Sequence, residues 1–437
     1  MLSREENELV TRIGPGTPMG NLMREYWVPA LMSNELPEPD GDPVRVLLLG
    51  EKLVAFRDTH GRVGLLRHSC PHRGGPLFLG RNEEDGLRCV YHGWKFDVNG
   101  FCVDMPNEPA ESDFKHKVKR AGYPCVERGG LVWAYLGPRS EPPSMPALDV
   151  FDAPDDEIDA GAMLTNCNWL QVIEGDLDTV HFTFLHAGHL KPEDAEPGSF
   201  LEYQLKHRSL RYQLCDTDFG FTCGAYRPAG DPDHLYWRIA HFMFPCYSLV
   251  PTGVLGTRRE VSLSVPMDDE HTMRFQMGVR AAKRSDQKVG MGSLMSPTMP
   301  NTTDWFGRWR SPRNAGNDYL LDREMQRRGD SFTGIDAIDL EDIAMTELMG
   351  PIFDRTGEHL GSTDMAVIRL RRRLLAAAKA LAEEGRTPPG VDDPEVYQQR
   401  SGGVVLHRDE DWLEATADLR QAGIDHPELD RTLAGGS

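Results

Sequence analysis

The fold of this chain is decided by two stretches of sequence, CPH at residues 70–72 and CVYH at residues 89–92, which sixteen residues separate. Each stretch offers one thiolate and one imidazole from a short turn. Four cysteines hold an ordinary [2Fe–2S] cluster, and histidines in place of two of them give the Rieske type. A structural zinc site is the alternative, but such sites usually pair Cys with Cys and His with His. We therefore predict a Rieske [2Fe–2S] cluster whose ligands are Cys70, His72, Cys89 and His92.

A second candidate metal site reads DTVHFTFLH at residues 178–186. We predict a helix around Trp169–His186, on which Asp178 and His181 share one face. His181 and His186 lie about 140° apart on such a helix, so both can bind one metal only if the helix bends or ends between them. Two histidines and one carboxylate form the facial triad of non-haem Fe(II) oxygenases. Buried structural histidines are the alternative, and the Rieske motif on the same chain favours the iron site.

The third ligand of this iron site has to come from elsewhere in the sequence. His189 is a competing ligand, but Gly188 indicates that it already lies in the following loop. Spacing alone does not choose among the downstream carboxylates, which are Asp336, Asp339, Glu341 and Asp342.

The flanking sequence predicts two domains. Short strands joined by Gly-rich turns, among them Val44–Leu49, Lys52–Asp58 and Arg62–Arg67, favour a small β domain. Prolines with acidic neighbours between residues 138 and 154 are typical of a linker. We place the N-terminal Rieske domain, with a helical lead-in, at residues 1–150 and the catalytic domain at residues 151–437.

The second domain is predicted to be of the α+β class. Helices return from about Ile338, and the longest runs from Thr363 to Gly385 with an apolar stripe along it. The long strands that we expect between the two helical regions are Glu202–Gln213, Phe219–Arg227, Leu235–His241, Glu260–Val265 and Met273–Ala281.

Composition and charge exclude several classes of protein. The chain has 437 residues, 48 basic against 68 acidic, and a formal net charge of −20. Binding to nucleic acid needs a basic face, and we expect no such partner. The basic cluster Arg369, Arg371, Arg372 and Arg373 lies on the predicted long helix, where we expect a solvated or inter-subunit face. No apolar run or leader segment is evident, so we expect a cytoplasmic protein that crosses no membrane.

With both metal motifs in one chain, the sequence resembles the Rieske non-haem iron oxygenases, particularly the single-subunit phthalate dioxygenase type. The resemblance covers almost the whole chain. It implies a helix-grip catalytic domain, in which an antiparallel sheet and helices surround the iron. It also implies that the last iron ligand is an aspartate in an acidic pair that opens a helix, which matches Asp342, and that Asp178 bridges the two metal sites.

The same resemblance implies the partners. Members of this family are usually rings of three subunits, or two stacked rings, so we expect a homotrimer or homohexamer. Electrons pass from the Rieske histidine of one subunit, through the bridging aspartate, to the iron of its neighbour. They come from a separate reductase that carries flavin and a [2Fe–2S] cluster and oxidises NAD(P)H.

The expected activity is hydroxylation or dihydroxylation of an aromatic carboxylate, phthalate-like or benzoate-like, with O2. A bidentate guanidinium holds a carboxylate well, and Arg208 and Arg238 lie on predicted strands that would line the pocket. An O-demethylase or monooxygenase of methoxylated or ether-linked aromatic acids is the alternative, because relatives with the same metals do both. A Rieske electron carrier without oxygenase activity is a distant alternative, since it leaves the second metal motif unexplained.

Overall fold

The computed structural model of this protein describes residues 1–188, 203, 206–280 and 295–424. No helix in these segments has the length and apolar character that crossing a membrane would require. The α-helices of the described chain are α1 (Arg4–Thr11), α2 (Pro18–Arg24), α3 (Trp169–Leu177), α4 (Arg323–Arg328), α5 (Ile338–Leu348), α6 (Met365–Glu384), α7 (Trp412–Ala415) and α8 (Ala417–Arg420).

Small antiparallel sheets build the N-terminal part, in the orders β1-β11-β10, β2-β3-β4-β9 and β5-β6-β7-β8. The predicted strands there are confirmed to within a residue or two at each end. Their bounds are β1 (Trp27–Met32), β2 (Val44–Leu48), β3 (Glu51–Arg57), β4 (Val63–Arg67), β5 (Arg81–Glu83), β6 (Gly86–Arg88), β7 (Lys95–Phe96), β8 (Cys102–Asp104), β9 (Gly122–Tyr123), β10 (Cys125–Arg128) and β11 (Leu131–Tyr135).

A large antiparallel sheet forms the centre of the second part, in the order β12-β18-β17-β16-β15-β14-β13, and β19 also pairs with β15. The expected α+β class, an all-β N-terminal domain before an antiparallel sheet with helices, is therefore confirmed. The strands are β12 (Ile158–Thr165), β13 (Arg211–Asp216), β14 (Gly220–Pro228), β15 (His234–Met243), β16 (Tyr247–Leu249), β17 (Glu260–Pro266), β18 (Thr272–Val279) and β19 (Gly402–His407).

Two of the predicted elements differ from the structure. The strand expected at Glu202–Gln213 begins only at Arg211, and part of that range lies outside the described residues. The helix expected to reach His186 ends at Leu177, because the side chain of Asp178 accepts a hydrogen bond from the Val180 N–H at 2.8 Å. Such a local turn competes with continuation of a helix.

Helix α3 lies across one face of the large sheet, where it packs against β15, β16 and β17. The register pairs Ser264 with Arg274, so these two side chains project from the same face. Asp176 of α3 joins this face, since it accepts from the Ser248 hydroxyl at 2.7 Å and forms an ion pair with Arg274 at 2.8 Å. The end of α3 that precedes the second metal motif is thus fixed to the sheet.

The basic cluster of α6 is not simply a solvated face, contrary to our expectation. Arg371 is buried and forms ion pairs with Glu174 of α3 at 2.6 Å and with Glu358. Arg369 instead bonds Asp216 at 2.9 Å near the surface. Arg371 therefore connects α6 to α3. The sequence of α6 alone does not reveal this contact, because its partner lies on another helix.

Candidate metal centres and active site

The two motifs of the predicted cluster adopt the same backbone turn. In each, the cysteine N–H donates to the carbonyl five residues later, at 2.7 Å for Cys70 and 2.8 Å for Cys89. The N–H four residues later donates back to the cysteine carbonyl at 2.9 Å in both turns. That fourth residue is Gly74 or Gly93, with φ of 74° and 82°, a conformation that glycine adopts at little cost.

This pair of turns brings the four predicted cluster ligands together. Cys70 and Cys89 are buried, 3% and 2% exposed, while the rings of His72 and His92 lie nearer the surface with centroids 4.4 Å apart. Burial, together with the neighbouring Cys89, raises the pKa of Cys70 to about 11, so a thiolate there needs a compensating cation. Nδ1 of His72 is buried without a hydrogen-bond partner among the described residues. These donors fit a [2Fe–2S] cluster.

The second metal motif follows the end of α3. His181 begins a short 3-10 turn, His186 follows it, and their rings lie nearly perpendicular, at 81°. Asp342 approaches both from the first turns of α5, with its Oδ1 3.4 Å from Nε2 of His181 and 3.3 Å from Nε2 of His186. One ligand atom from each of the three side chains lies within 4.8 Å of the other two.

The electrostatics of this cluster favour a bound cation. Burial lowers the pKa of His186, but the carboxylates of Asp342 and Glu341 outweigh it and raise the pKa to about 9. Two imidazoles and one carboxylate match the preference of Fe(II), and a set confined to three ligands leaves other positions open. The donor set thus fits a mononuclear iron.

None of the other sequence candidates for the third ligand is shown beside Nε2 of both histidines. The carboxylate of Asp339 accepts from the backbone N–H and hydroxyl of Ser296, both at 2.7 Å. Asp336 is exposed. Glu341 contacts the far side of the His186 ring, as described below, and His189 lies outside the described residues.

Asp178 lies beside this cluster as the residue that caps α3. Its Oδ2 is 3.5 Å from Nδ1 of His181. Burial opposes its ionisation, but the hydrogen bonds from His181 and from the Val180 N–H outweigh that effect and lower the pKa. We expected Asp178 and His181 to share one face of a helix. The structure differs, because α3 ends at Leu177, before either residue.

A cavity of about 440 Å³ opens onto the iron-site residues, between α3 and the sheet. It holds the ionic pair Asp176 and Arg274, and it also reaches Glu260, whose pKa is raised by burial. The apolar residues of its wall are Phe182, Val250, Pro251, Val261, Met277, Met295, Pro297, Ala337 and Ile338.

The two arginines predicted to hold a substrate lie in different places. Arg238 of β15 is 4% exposed, lines the cavity and donates to the carbonyl of Pro251 at 2.9 Å. Burial lowers its pKa to about 10. Arg208 is exposed, belongs to no strand and is not among the cavity residues, and its guanidinium lies over the ring of Phe184 at 5.1 Å.

Sequence reasoning missed several polar residues of the cavity. The strand pattern does not reveal the pair Asp176 and Arg274, because the pair depends on how α3 lies on the sheet. Thr252, Arg258 and Glu260 also line the cavity, at the end near Arg238, and no motif marks them. Arg258 donates to the Thr252 hydroxyl at 3.3 Å.

Comparison with known proteins places this geometry in a family. A Rieske [2Fe-2S] domain model matches residues 26–121, and a model described as LigXa C-terminal domain like matches residues 134–433. The 3-chlorobenzoate-3,4-dioxygenase oxygenase subunit of Comamonas testosteroni is 46% identical, with 94% of this chain and 97% of that protein covered. The phthalate 4,5-dioxygenase oxygenase subunit of Pseudomonas putida is 36% identical, with 95% of each covered.

A more distant relative has a different reaction in its name. The 5,5'-dehydrodivanillate O-demethylase oxygenase subunit of a Sphingobium strain is 31% identical, with 97% of this chain and 91% of that protein covered. The solved structure of dicamba monooxygenase bound to dicamba is 18% identical, covers 84% of this chain and all of its own, and has a TM-score of 0.56, so it shares the fold. From these matches we conclude that the chain belongs to the Rieske non-haem iron oxygenases, as an oxygenase subunit with a Rieske [2Fe–2S] cluster and a mononuclear iron as cofactors.

Proposed function

We propose that this enzyme uses O2, and electrons from a separate NAD(P)H-dependent reductase, to hydroxylate or dihydroxylate an aromatic carboxylate of the phthalate or benzoate type. The observation that best supports this proposal is a largely apolar cavity. It is lined by the His181, His186 and Asp342 cluster and by buried Arg238. When bound, the Rieske cluster supplies electrons and the mononuclear iron activates O2. The names of two relatives described above, which refer to chlorobenzoate and phthalate, support an aromatic acid.

Each group of side chains has one task in this proposal. Cys70, His72, Cys89 and His92 hold the cluster, with the thiolates buried and the imidazoles towards the surface. His181, His186 and Asp342 would hold the iron, and because all three line the cavity, O2 and substrate could reach it there. The cavity walls exclude bulk water and orient the aromatic ring.

Arg238 is suited to fix the carboxylate of the substrate. Its guanidinium lies over the ring of Phe182 at 5.1 Å, and that ring in turn contacts the ring of His186 at 5.3 Å. The cation is thus one aromatic ring away from the iron site. Because Arg238 and the iron-site residues line the same cavity, a substrate whose carboxylate binds Arg238 would have its ring inside that cavity, beside Phe182.

We expect Arg238→Met to raise KM for an acid substrate by about 10–150-fold, because a hydrogen bond to a charged group is lost. Steady-state kinetics measure the effect, and iron and sulfide contents should stay at their wild-type values. Arg211→Met, at an exposed position of β13, is the matched control. An unchanged KM in Arg238→Met would remove this residue from substrate binding. Applied to Arg208, the same substitution tests the second predicted arginine.

The proposed assembly is a homotrimer or homohexamer in which subunits exchange electrons. A second cavity, of about 1070 Å³, reaches Asp178 and His181 from the side of Phe184, Phe332 and Leu348, whose side chains are exposed. Exposed apolar side chains also surround the cluster turns, namely Leu79, Val90 and Tyr91. Apolar surface at both places supports a contact in which the cluster of one subunit lies against Asp178 of the next.

His92→Cys should convert the cluster ligands towards the ferredoxin set. A third thiolate adds negative charge, so we expect a lower reduction potential and loss of the Rieske electron paramagnetic resonance signal. A redox titration measures the potential, and spectra recorded after dithionite reduction show whether the signal is present. A Rieske signal identical to the wild type would show that His92 is not a ligand.

Product analysis with a surrogate reductase, across phthalates, hydroxybenzoates and methoxybenzoates, tests the proposal as a whole. A hydroxylated or cis-dihydrodiol acid supports ring hydroxylation. Formaldehyde released from a methoxybenzoate would instead support O-demethylation, the second candidate, which the O-demethylase relative favours. About three iron atoms and two sulfides per chain are expected, whereas an electron carrier would hold about two of each.

The cytoplasmic location, where NAD(P)H is available, stays a prediction.

A further inference from the structure

The acidic pair at the start of α5 contacts His186 on both of its ring nitrogens. Oδ1 of Asp342 is 3.3 Å from Nε2, and Oε2 of Glu341 is 2.7 Å from Nδ1. Consecutive residues of a helix point about 100° apart, so Glu341 and Asp342 can contact opposite sides of the His186 ring. Glu341 is wholly buried, 0% exposed.

The second carboxylate oxygen of Glu341 is held by a dedicated loop. The hydroxyl of Thr333 donates to Oε1, and the Ser331 hydroxyl lies 3.4 Å from the same atom. Each hydroxyl also accepts a backbone N–H, from Ile335 and Gly334 respectively, both at 3.0 Å. The Thr333 hydroxyl is thereby oriented to donate to Glu341, and the Ser331 hydroxyl lies 3.1 Å from Thr333 Oγ1, so this loop fixes the orientation of the carboxylate.

This loop is in direct backbone contact with the turn that carries His186. The Phe332 N–H donates to the carbonyl of Ala187 at 2.7 Å. Gly188 has φ of 101°, and a Cβ there would lie 2.7 Å from the carbonyl oxygen of Asp330 and from Cα of Ser331. Only glycine permits this approach, so the loop and the histidine turn are built as one unit.

We infer that Glu341 is the positioning residue of the iron site, which orients His186 by accepting from its Nδ1–H so that Nε2 faces the metal. The inference rests on the proposed iron ligands. A carboxylate on the far nitrogen fixes the tautomer and the ring orientation, and it makes the other nitrogen a stronger ligand. Asp178 has the equivalent place at His181, but it is partly exposed and lines both cavities, whereas Glu341 is wholly buried and lines neither of them.

Glu341→Gln should weaken Fe(II) binding by about 10–100-fold, the usual cost of removing such a partner. Chelator competition on the purified protein measures the dissociation constant. Visible absorption of the Co(II)-substituted site reports the ligand geometry without any turnover, and it should change. The Rieske signal should be retained, which shows that the variant is folded. Asp339→Asn, which alters the same helical turn but a carboxylate bonded to Ser296, should keep the wild-type affinity.

Thr333→Val gives an independent variant, because it removes a donor to Glu341 at a site that does not touch the ring. It should weaken Fe(II) binding in the same direction by a smaller factor, and it carries the test if Glu341→Gln does not fold. Wild-type Fe(II) affinity and Co(II) spectra in both variants would overturn the inference. If His186→Ala also retained iron, the proposed ligand set itself would be wrong, which keeps the two failures distinguishable.

Discussion

Asp178→Asn is expected to retain both metals and to lose about 10–100-fold or more of its product formation. The substitution preserves shape but removes the charge next to Nδ1 of His181, 3.5 Å away. In the proposed assembly the same carboxylate accepts a hydrogen bond from His92 of the neighbouring subunit. Electron transfer between the metals would therefore lose the group that orients both imidazoles.

Single-turnover kinetics separate this role from a structural one. The reductase should still reduce the Rieske centre of Asp178→Asn at the wild-type rate. Reoxidation of that centre by O2 with substrate present should become very slow. Wild-type reoxidation would mean that electrons take another route, and loss of the mononuclear iron would make Asp178 mainly a support of the metal site. An aspartate that only ends α3 predicts no kinetic effect at all.

Asp342→Ala should empty the mononuclear site and leave the Rieske cluster intact. The Asp342 carboxylate lies within 3.4 Å of Nε2 of both histidines, and two imidazoles alone hold Fe(II) poorly. Because Asp342 is proposed to bind the metal directly, we expect a loss of iron affinity beyond the about 10–100-fold typical of outer partners. Product formation should fall to background.

Iron and sulfide analysis checks this result, with about three iron atoms per chain falling to about two while sulfide stays constant. Asp336→Ala, which alters an exposed candidate from the same stretch, should keep full iron. Full iron and turnover in Asp342→Ala would contradict the ligand assignment and shift attention to Asp339 or Glu341.

The cluster motif could be predicted from the sequence because its geometry is local. Each pair of ligands lies within one turn of six residues, which is closed by its own backbone hydrogen bonds and has a glycine with positive φ as its fifth residue. The residue types and their spacing therefore carry nearly all the information that places Cys70 and Cys89.

The iron site was predictable only in part, because its third carboxylate comes from a distant helix. Glu341 and Asp342 are neighbours in sequence and alike in chemistry, and only the packing of α5 on α3 decides which of them faces Nε2 of His186. Spacing gave no means to choose, and the resemblance to the family supplied Asp342. The end of α3 was also missed, because the turn formed by the Asp178 side chain overrides an otherwise helical pattern.

The remaining differences depend on how the helices and strands pack together. Arg371 lies on a strip of arginines that looks solvated, but Glu174 and Glu358 pair with it in the interior. The short strand β16 and the late strand β19 went unpredicted, since their existence depends on pairing with β15 rather than on a run of β-forming residues.

The spacer between the two cluster turns is itself a hairpin, and this has a practical consequence. Strands β5 and β6 are joined by Glu84 and Asp85, both with positive φ, as in the tight turns that suit a hairpin. Glu84 is exposed, with 78% of its side chain accessible. Because each turn closes on its own hydrogen bonds, extra residues at this tip would lengthen the hairpin without altering either turn. Lengthening a surface loop costs little chain entropy, so an inserted tag would be limited chiefly by the bonds of this tip to Lys95 and Thr59.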